Sequence, residues 1–377
     1  MDATWIDTPE ALQQFCSTLD DVIAVDTESD HFHAYQARVC LIQVATGEAA
    51  ALIDPLALDA DQLAPLFARL EAPDVVTIMH AGRNDIIELD RDYGVRVASL
   101  FDTQIAARFL GYERNSLSWL QEELLGVPPG AQYQRFDWTR RPIPDKPAHY
   151  AAEDVRHLLA LRERFVRELE ADQWLVPFDQ QCRFVATSVG HEPKAFDPEG
   201  WRKIKGADGL DGRGRAALRA LYLWRHELCT ELNRSAVTLF KNSAVMKLAR
   251  ERPTRASEIT HISGLPAQIA HNRGEAIIEV IAGSLDDDIP VAELPRTPYE
   301  APPAQEKAIY NALRRWRNKK SDQLGVPGPF IATNATCTDI AQTPPRTLAE
   351  LAEFAPILDW HIELLGDEML RVIADAR

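Results

Sequence analysis

Five side chains along the 377-residue chain have the types and spacing to do chemistry together: Asp26, Glu28, Asp85, Tyr150 and Asp154. Asp26 and Glu28 stand two apart after an apolar run, Val22-Ile23-Ala24-Val25. If that run is a strand, its period of two puts both carboxylates on one face of a sheet. Two acids so placed repel each other unless a cation sits between them. Asp85 follows another apolar run through His80-Ala81-Gly82-Arg83-Asn84, in the first turn of the next expected helix. Tyr150 and Asp154 are four apart, so on a helix they share a face, one turn from each other. Each part also has a plainer reading: a strand-end pair, an acid at a helix N-terminus, a packed tyrosine beside a surface acid. As a set they are more specific. Phosphodiester cleavage by two metals needs several carboxylates at one point, around ions about 3.5–4 Å apart that clamp the attacking and leaving oxygens. Mg2+ and Mn2+ favour such oxygen ligands.

The elements that must bring these residues together are legible as alternating signals. Residues 22–27, 39–44, 50–53 and 75–79 read as strands, with Thr46-Gly47 as a turn between the second and third. Helices are expected near 60–70, 84–92 and 103–110, and one from about Pro147 to 170. Strands first, then strand and helix in alternation, give a mixed α/β layer. Other polar residues have structural readings. Asp102 starts Asp-Thr-Gln and reads as an organiser of the core or of a helix start. His80 reads as support for the turn before Asp85, and His157 as a helix-surface residue.

No apolar run reaches the ~20 residues of a membrane span, and the acidic N-terminus lacks the pattern of a secretory signal. The five cysteines form no CxxC pair or zinc spacing and read as reduced cytoplasmic thiols. The net charge of −16 argues at first against a polyanionic partner. Its distribution argues otherwise. Residues 1–170 carry 15 Lys/Arg against 29 Asp/Glu, residues 201–285 carry 14 against 8, and residues 286–377 carry 10 against 15. Carboxylates that hold cations, followed by one basic module that holds phosphates, fit an enzyme acting on nucleic acid.

Beyond residue 200 the chain repeats itself. At an offset of 92 residues, Trp224-Arg225 matches Trp316-Arg317, Asn242 matches Asn334, Pro253 matches Pro345, and Val280-Ile281 matches Val372-Ile373. Two copies of one helical module account for this, with Trp224 and Trp316 as core anchors and the adjacent arginines as exposed stems. In the basic copy, Arg213, Arg215, Arg219, Arg225, Arg234, Lys241, Lys247, Arg250 and Arg252 are candidates for phosphate contact.

With these motifs in hand, the sequence resembles a known family. Asp26/Glu28, Asp85 and Tyr150/Asp154 are similar to the three exonuclease motifs of the DEDD superfamily, tyrosine branch. VIAVDTE (22–28), CLIQV (40–44), ALIDPL (51–56), HAG (80–82), FDTQIAARFLG (101–111), DWTRRP (137–142) and YAAEDVRHLLAL (150–161) resemble the ribonuclease D family. The two repeats resemble HRDC modules. The resemblance implies an α/β ribonuclease H-like exonuclease domain, a mixed sheet flanked by helices, over 1–175. Two all-α HRDC modules would follow over 206–285 and 305–377, with linkers at 176–205 and 286–304. It implies a 3′-5′ exoribonuclease that uses two divalent ions, Mg2+ or Mn2+, and releases nucleoside 5′-monophosphates. Asp26, Glu28 and Asp154 would hold one ion, with Asp26 bridging to a second near Asp85, and Tyr150 would orient the attacking water. Expected partners are RNA, as tRNA precursors and 3′ ends of structured RNAs, with no membrane and no obligate protein partner, in the cytoplasm. Thr27, Arg225, Arg234 and Lys241 are the named candidates for nucleic-acid contact. Alternatives are a DNA 3′-5′ exonuclease of the same superfamily and a non-catalytic nucleic-acid-binding scaffold.

Two departures stand out. Ser29 follows the acidic pair where many relatives have a bulky apolar residue, which Phe32 could replace. His149, five residues before Asp154, also satisfies the histidine-branch pattern, although five residues turn a helix through about 500° and place it off the Asp154 face.

Overall fold

The computed structural model describes residues 3–31, 33–130, 133–188, 196–290 and 302–377, so Phe32 lies outside the described residues. The chain forms two compact units, one of Met1–Glu28, Val39–His191 and Glu300–Arg377, the other of Ser29–Arg38 and Glu192–Tyr299.

In the first unit a six-stranded sheet contains β1 (Thr4–Ile6), β2 (Val22–Ser29), β3 (Val39–Ala45), β4 (Ala50–Ile53), β5 (Val76–Met79) and β6 (Leu100–Asp102). Their order is β1-β4-β3-β2-β5-β6. β4 runs parallel to β1 and antiparallel to β3, and β5 is parallel to both β2 and β6. The expected mixed layer forms, and the four expected strands are all present. β1 and β6, three residues each, are too short to announce themselves by periodicity. Val22 pairs with Val76 and Ala24 with Ile78. β5 ends at Met79 while β2 continues to Ser29, so the acidic end of β2 runs on past this neighbour.

Helices α1 (Pro9–Cys16), α2 (Ala60–Leu70), α3 (Arg83–Tyr93), α4 (Thr103–Phe109), α5 (Leu117–Leu125), α6 (Asp145–Arg156), α7 (Leu158–Ala171) and α8 (Leu175–Thr187) complete this part. The single helix expected from Pro147 to 170 is two. His157 (φ −100°, ψ 0°) separates α6 from α7. The break serves two cores: Ala151 and Ala152 of α6 pack with Cys40, Leu41, Leu52 and Trp138, whereas Leu158, Leu161, Phe165 and Leu169 of α7 enter the main core. The expected linker at 176–205 also needs correction. α8 occupies its first part, with Phe178 and Cys182 buried in the main core. Pro177 sits in the first turn of α8, where a missing N–H does no harm. Later in the same stretch, Trp201 is fully buried in the core of the second unit.

The two repeats are five helices each. In the first they are α9 (Gly212–Leu232), α10 (Ala236–Leu239), α11 (Asn242–Glu251), α12 (Ala256–Ile259) and α13 (Ala267–Gly283). In the second they are α14 (Ala304–Leu324), α15 (Gly328–Ile331), α16 (Asn334–Gln342), α17 (Leu348–Ala352) and α18 (Asp359–Asp375). Every helix of the second begins 92 residues after its counterpart, from 212 and 304 to 267 and 359. The first repeat has its own core in the second unit, whereas the second repeat shares the main core of the first unit. No helix among the described residues is long and apolar enough to cross a membrane. All five cysteines are free thiols.

Candidate active site

Asp26 and Glu28 lie on the end of β2, as the alternation requires, and Asp154 lies on α6. One carboxylate oxygen from each falls within 4.8 Å of the others, all three residues being half-buried. Asp85 joins them from the other side. After β5 the chain turns through Ala81 (φ 57°) and Gly82 into α3. A Cβ on Gly82 would lie 2.5 Å from the Cβ of Met79, so only glycine fits there. The turn is fixed by Asp102, whose carboxylate accepts the amides of Ala81 and Gly82 at 3.1 and 3.0 Å and those of Gln104 and Ile105 at 2.8 and 3.2 Å. Asp102 is thus the organiser expected of it, and no member of the acid cluster. His80, whose Nδ1 is 2.9 Å from the Thr103 hydroxyl, ties the same turn to α4.

Asp85 accepts its own amide in the first turn of α3 and also reaches across to β2. It accepts the hydroxyl of Thr27 at 2.6 Å and the Thr27 amide at 3.2 Å. Thr27, named above as a candidate for substrate contact, holds Asp85 against β2. The Tyr150 hydroxyl hydrogen-bonds Asp154, one turn along α6, while His149 is exposed on the same helix. The structure therefore puts tyrosine, not histidine, on the acid.

The electrostatics are those of acids crowded together in a buried site. Burial, then the charges of Asp85, Asp154 and Glu28, raise the Asp26 carboxyl well above its usual range. Burial, with Asp154, Asp85 and Glu88, pushes Glu28 up to about 9. Burial lifts Asp154 to about 7 and Asp85 to about 6, against the pull of the hydrogen bonds from Tyr150 and Thr27. Burial and the neighbouring acids also hold the Tyr150 phenol in its neutral form. Among the described residues, the charges that act most on Asp26 and Glu28 are those of other acids. Converging oxygens with raised proton affinity fit a divalent cation, which replaces the protons.

Two features escaped the sequence reading. Glu88, one turn after Asp85 on α3, adds its charge to Glu28 and Asp85. Arg141 anchors the segment that leads into α6. Its guanidinium pairs with both oxygens of Asp54 at 2.6 Å and donates to the Cys40 carbonyl at 2.7 Å. Such a bidentate pair fixes orientation as well as distance. The only available signal was the motif context, DWTRRP and ALIDPL, which shows no pairing by itself. A cavity of about 1000 Å³ opens beside the acids, lined by Asp26, Tyr150, Asp154, His149, Lys146 and Gln121 among others.

Residues 3–170 match the 3′-5′ exonuclease family, and residues 215–281 and 306–373 each match the HRDC domain. Ribonuclease D of Acidiphilium cryptum (strain JF-5) is 30% identical over 380 residues, covering 97% of this chain and 92% of the relative. The chain belongs to the ribonuclease D family. Ribonuclease D of Escherichia coli (strain K12) is 28% identical over 375 residues, covering 97% and 92% of the two chains. The crystal structure of Escherichia coli RNase D matches with a TM-score of 0.68 at 26% identity, over 100% of this chain and 99% of that one. As a member of this family, the protein is a 3′-5′ exoribonuclease.

The basic HRDC module differs from its sequence reading in a specific way. Arg225, offered as an exposed phosphate contact, is buried; its guanidinium donates to the Phe240 carbonyl at 3.0 Å and to Asn242 Oδ1 at 2.7 Å. Arg317 repeats the arrangement on the Ala332 carbonyl and Asn334 Oδ1, at 3.0 and 2.9 Å. The matched Arg and Asn of the two copies are therefore a lock between the first and third helices of the module. Arg215 is also buried, donating to the carbonyls of Ile289 and Leu210. Arg252 pairs with Asp211 at 2.8 Å. Arg213, Arg219, Arg234, Lys241 and Arg250 remain exposed. Of the two tryptophans, Trp316 is buried and Trp224 is half-buried against Phe240.

Proposed function

We propose that this enzyme removes nucleotides from RNA 3′ ends by two-metal hydrolysis, releasing nucleoside 5′-monophosphates, and that its substrates are structured RNAs with 3′ extensions, especially tRNA precursors. The observation that carries this reading is the convergence of Asp26, Glu28 and Asp154 within 4.8 Å, with Asp85 held on Thr27 beside them. Asp26, Glu28 and Asp154 would hold one Mg2+ or Mn2+, with Asp26 shared toward a second on the Asp85 side. The ions would supply a more acidic attacking water and neutralise charge on the leaving 3′ oxygen. Tyr150 keeps its own proton and acts as a hydrogen-bonding group, orienting the water for in-line attack from its place on Asp154. Arg141 and the small face of α6 at Ala151 and Ala152 hold the helix of Tyr150 and Asp154 against β3 and β4. The overall product chemistry is one water added across the last phosphodiester, leaving a 3′ hydroxyl on the shortened RNA. The exposed cations of the first HRDC module would hold the body of the RNA through its phosphates.

The test is incubation with a 3′-tailed tRNA-like RNA and a matched single-stranded DNA, each with Mg2+, Mn2+ or EDTA. Metal-dependent release of 5′-monophosphates from the RNA is expected. Cleavage of the DNA alone would replace the RNA reading, and no cleavage of either would leave a binding scaffold.

A further inference from the structure

The cavity beside the acids contains one lysine, Lys146, among its described lining. Lys146, Tyr150 and Asp154 are spaced four and four along α6. Each step of four advances about 40° around the axis, so the three form one stripe, with Lys146 about 12 Å up the helix from Asp154. All three line the same cavity. The ammonium is exposed and makes no ion pair or hydrogen bond among the described residues, although Asp145 and Glu153 line the cavity too. Nothing in the fold requires a cation there: Pro147, Ala151, Ala152 and Val155 bury the helix without it.

Resting on the exonuclease reading above, we propose that Lys146 is a substrate-binding residue that pairs with a backbone phosphate on the 5′ side of the scissile one. The end of a 3′-hydroxyl strand has a single phosphate at the bond to be cut, and the carboxylate set with its cations accounts for that phosphate. Every other phosphate lies upstream. A lone cation two turns from Asp154 can therefore only meet the strand on its 5′ side. Lysine suits this task, since its ammonium is a mobile point charge that needs no fixed base geometry.

The experiment compares wild-type enzyme with Lys146→Ala and Lys146→Arg on a dinucleotide, whose only phosphate is the scissile one, and on a trinucleotide. Full-length protein is used at fixed Mg2+ with varied KCl. On the trinucleotide, Lys146→Ala should raise KM about 3- to 10-fold with kcat nearly unchanged, and the slope of log KM against log salt should fall by ~0.7, the value for one phosphate contact to a single strand. Lys146→Arg should restore both. On the dinucleotide the three proteins should behave alike. Equal KM and salt slope for wild type and Lys146→Ala on the trinucleotide would overturn the proposal, as would an equal loss on both substrates. Failure of all three proteins to cut either substrate would instead count against the exonuclease reading itself.

Discussion

The two HRDC modules share five helices at a constant offset, yet they are used differently, and the residues that differ say how. Positions with identical residues, such as the Arg225–Asn242 and Arg317–Asn334 locks, set how each module folds on itself. Positions that diverge set what the module packs against. In the second module Phe330 stacks on Phe109 of the exonuclease domain with ring centroids 5.0 Å apart, and Trp360 lies 6.0 Å from the same ring and 6.1 Å from Trp174. At the matched positions, 92 residues earlier, the first module has Thr238 and exposed Gln268. The second module is thus part of the catalytic domain's core, and the first presents a polar, cationic surface instead. Self-similarity finds a repeat; the mismatches inside it find the division of labour.

Converting the second module's aromatics to the first module's residues should break this contrast most severely. Trp360→Gln removes a fully buried ring and should cost about 3–5 kcal/mol, unfolding the exonuclease domain and its attached module together in a denaturant melt. Gln268→Trp in the first module should change stability little. Separate transitions for the exonuclease domain and the second module would sink the shared-core account.

His361 offers a second contrast, since the first module has Ile269 at that position. Its Nδ1 accepts the Leu358 amide at 2.9 Å and its Nε2 donates to the Phe330 carbonyl at 2.7 Å. Burial pushes its pKa down from 6.5 to about 4. An unfolded histidine takes up a proton as pH falls through 6.5, whereas the folded one resists until about 4. The stabilisation is therefore complete above 6.5 and lost as pH falls toward 4, by up to ~3 kcal/mol. Calorimetry at pH 4.5 and 7 should show a smaller difference for His361→Ile than for wild type.

The two arginine locks should be alike. Arg225→Ala and Arg317→Ala each leave a carbonyl and an Asn side chain without a donor and should each destabilise by about 2–3 kcal/mol. A loss of RNA affinity from Arg225→Ala with no loss of stability would return Arg225 to the binding surface. The smallest effects belong to the third helix of each module. Thr333 caps α16 through its hydroxyl, while Lys241 occupies the same position before α11 and forms no side-chain cap. Thr333→Lys should cost about 1 kcal/mol. Lys241→Thr should leave stability intact and reduce the salt dependence of RNA binding.

The sequence carried the site more fully than it carried the packing. Asp26, Glu28, Tyr150 and Asp154 were legible because strand and helix periods fix which side chains share a face. Asp85 was placed in the correct turn, but its partner Thr27 was not foreseen, because a hydrogen bond across 58 residues has no periodic signature. Burial of Arg225 and Arg317 was missed for a similar reason: arginine composition reads as surface, and only the matched Asn at 242 and 334, already visible in the repeat, hinted at a lock. α8 was hidden because its residues fall almost wholly within 176–205, the stretch expected to be a linker.

In the proposed reaction, the Asp26, Glu28, Asp85 and Asp154 set would hold divalent cations for hydrolysis at RNA 3′ ends. Its most direct measurement follows 5′-monophosphate release and thermal stability together, in metal-stripped wild type and Asp154→Asn, as Mn2+ is added. The wild type should gain activity and several degrees of Tm over the same range of Mn2+, since a ligand at 100 times its Kd adds about 2.7 kcal/mol. Asp154→Asn should lose more than ~100-fold in activity and most of the Mn2+-dependent shift. Hydrolysis by the wild type that persists in EDTA, or an Asp154→Asn variant that keeps wild-type rate, would contradict the account.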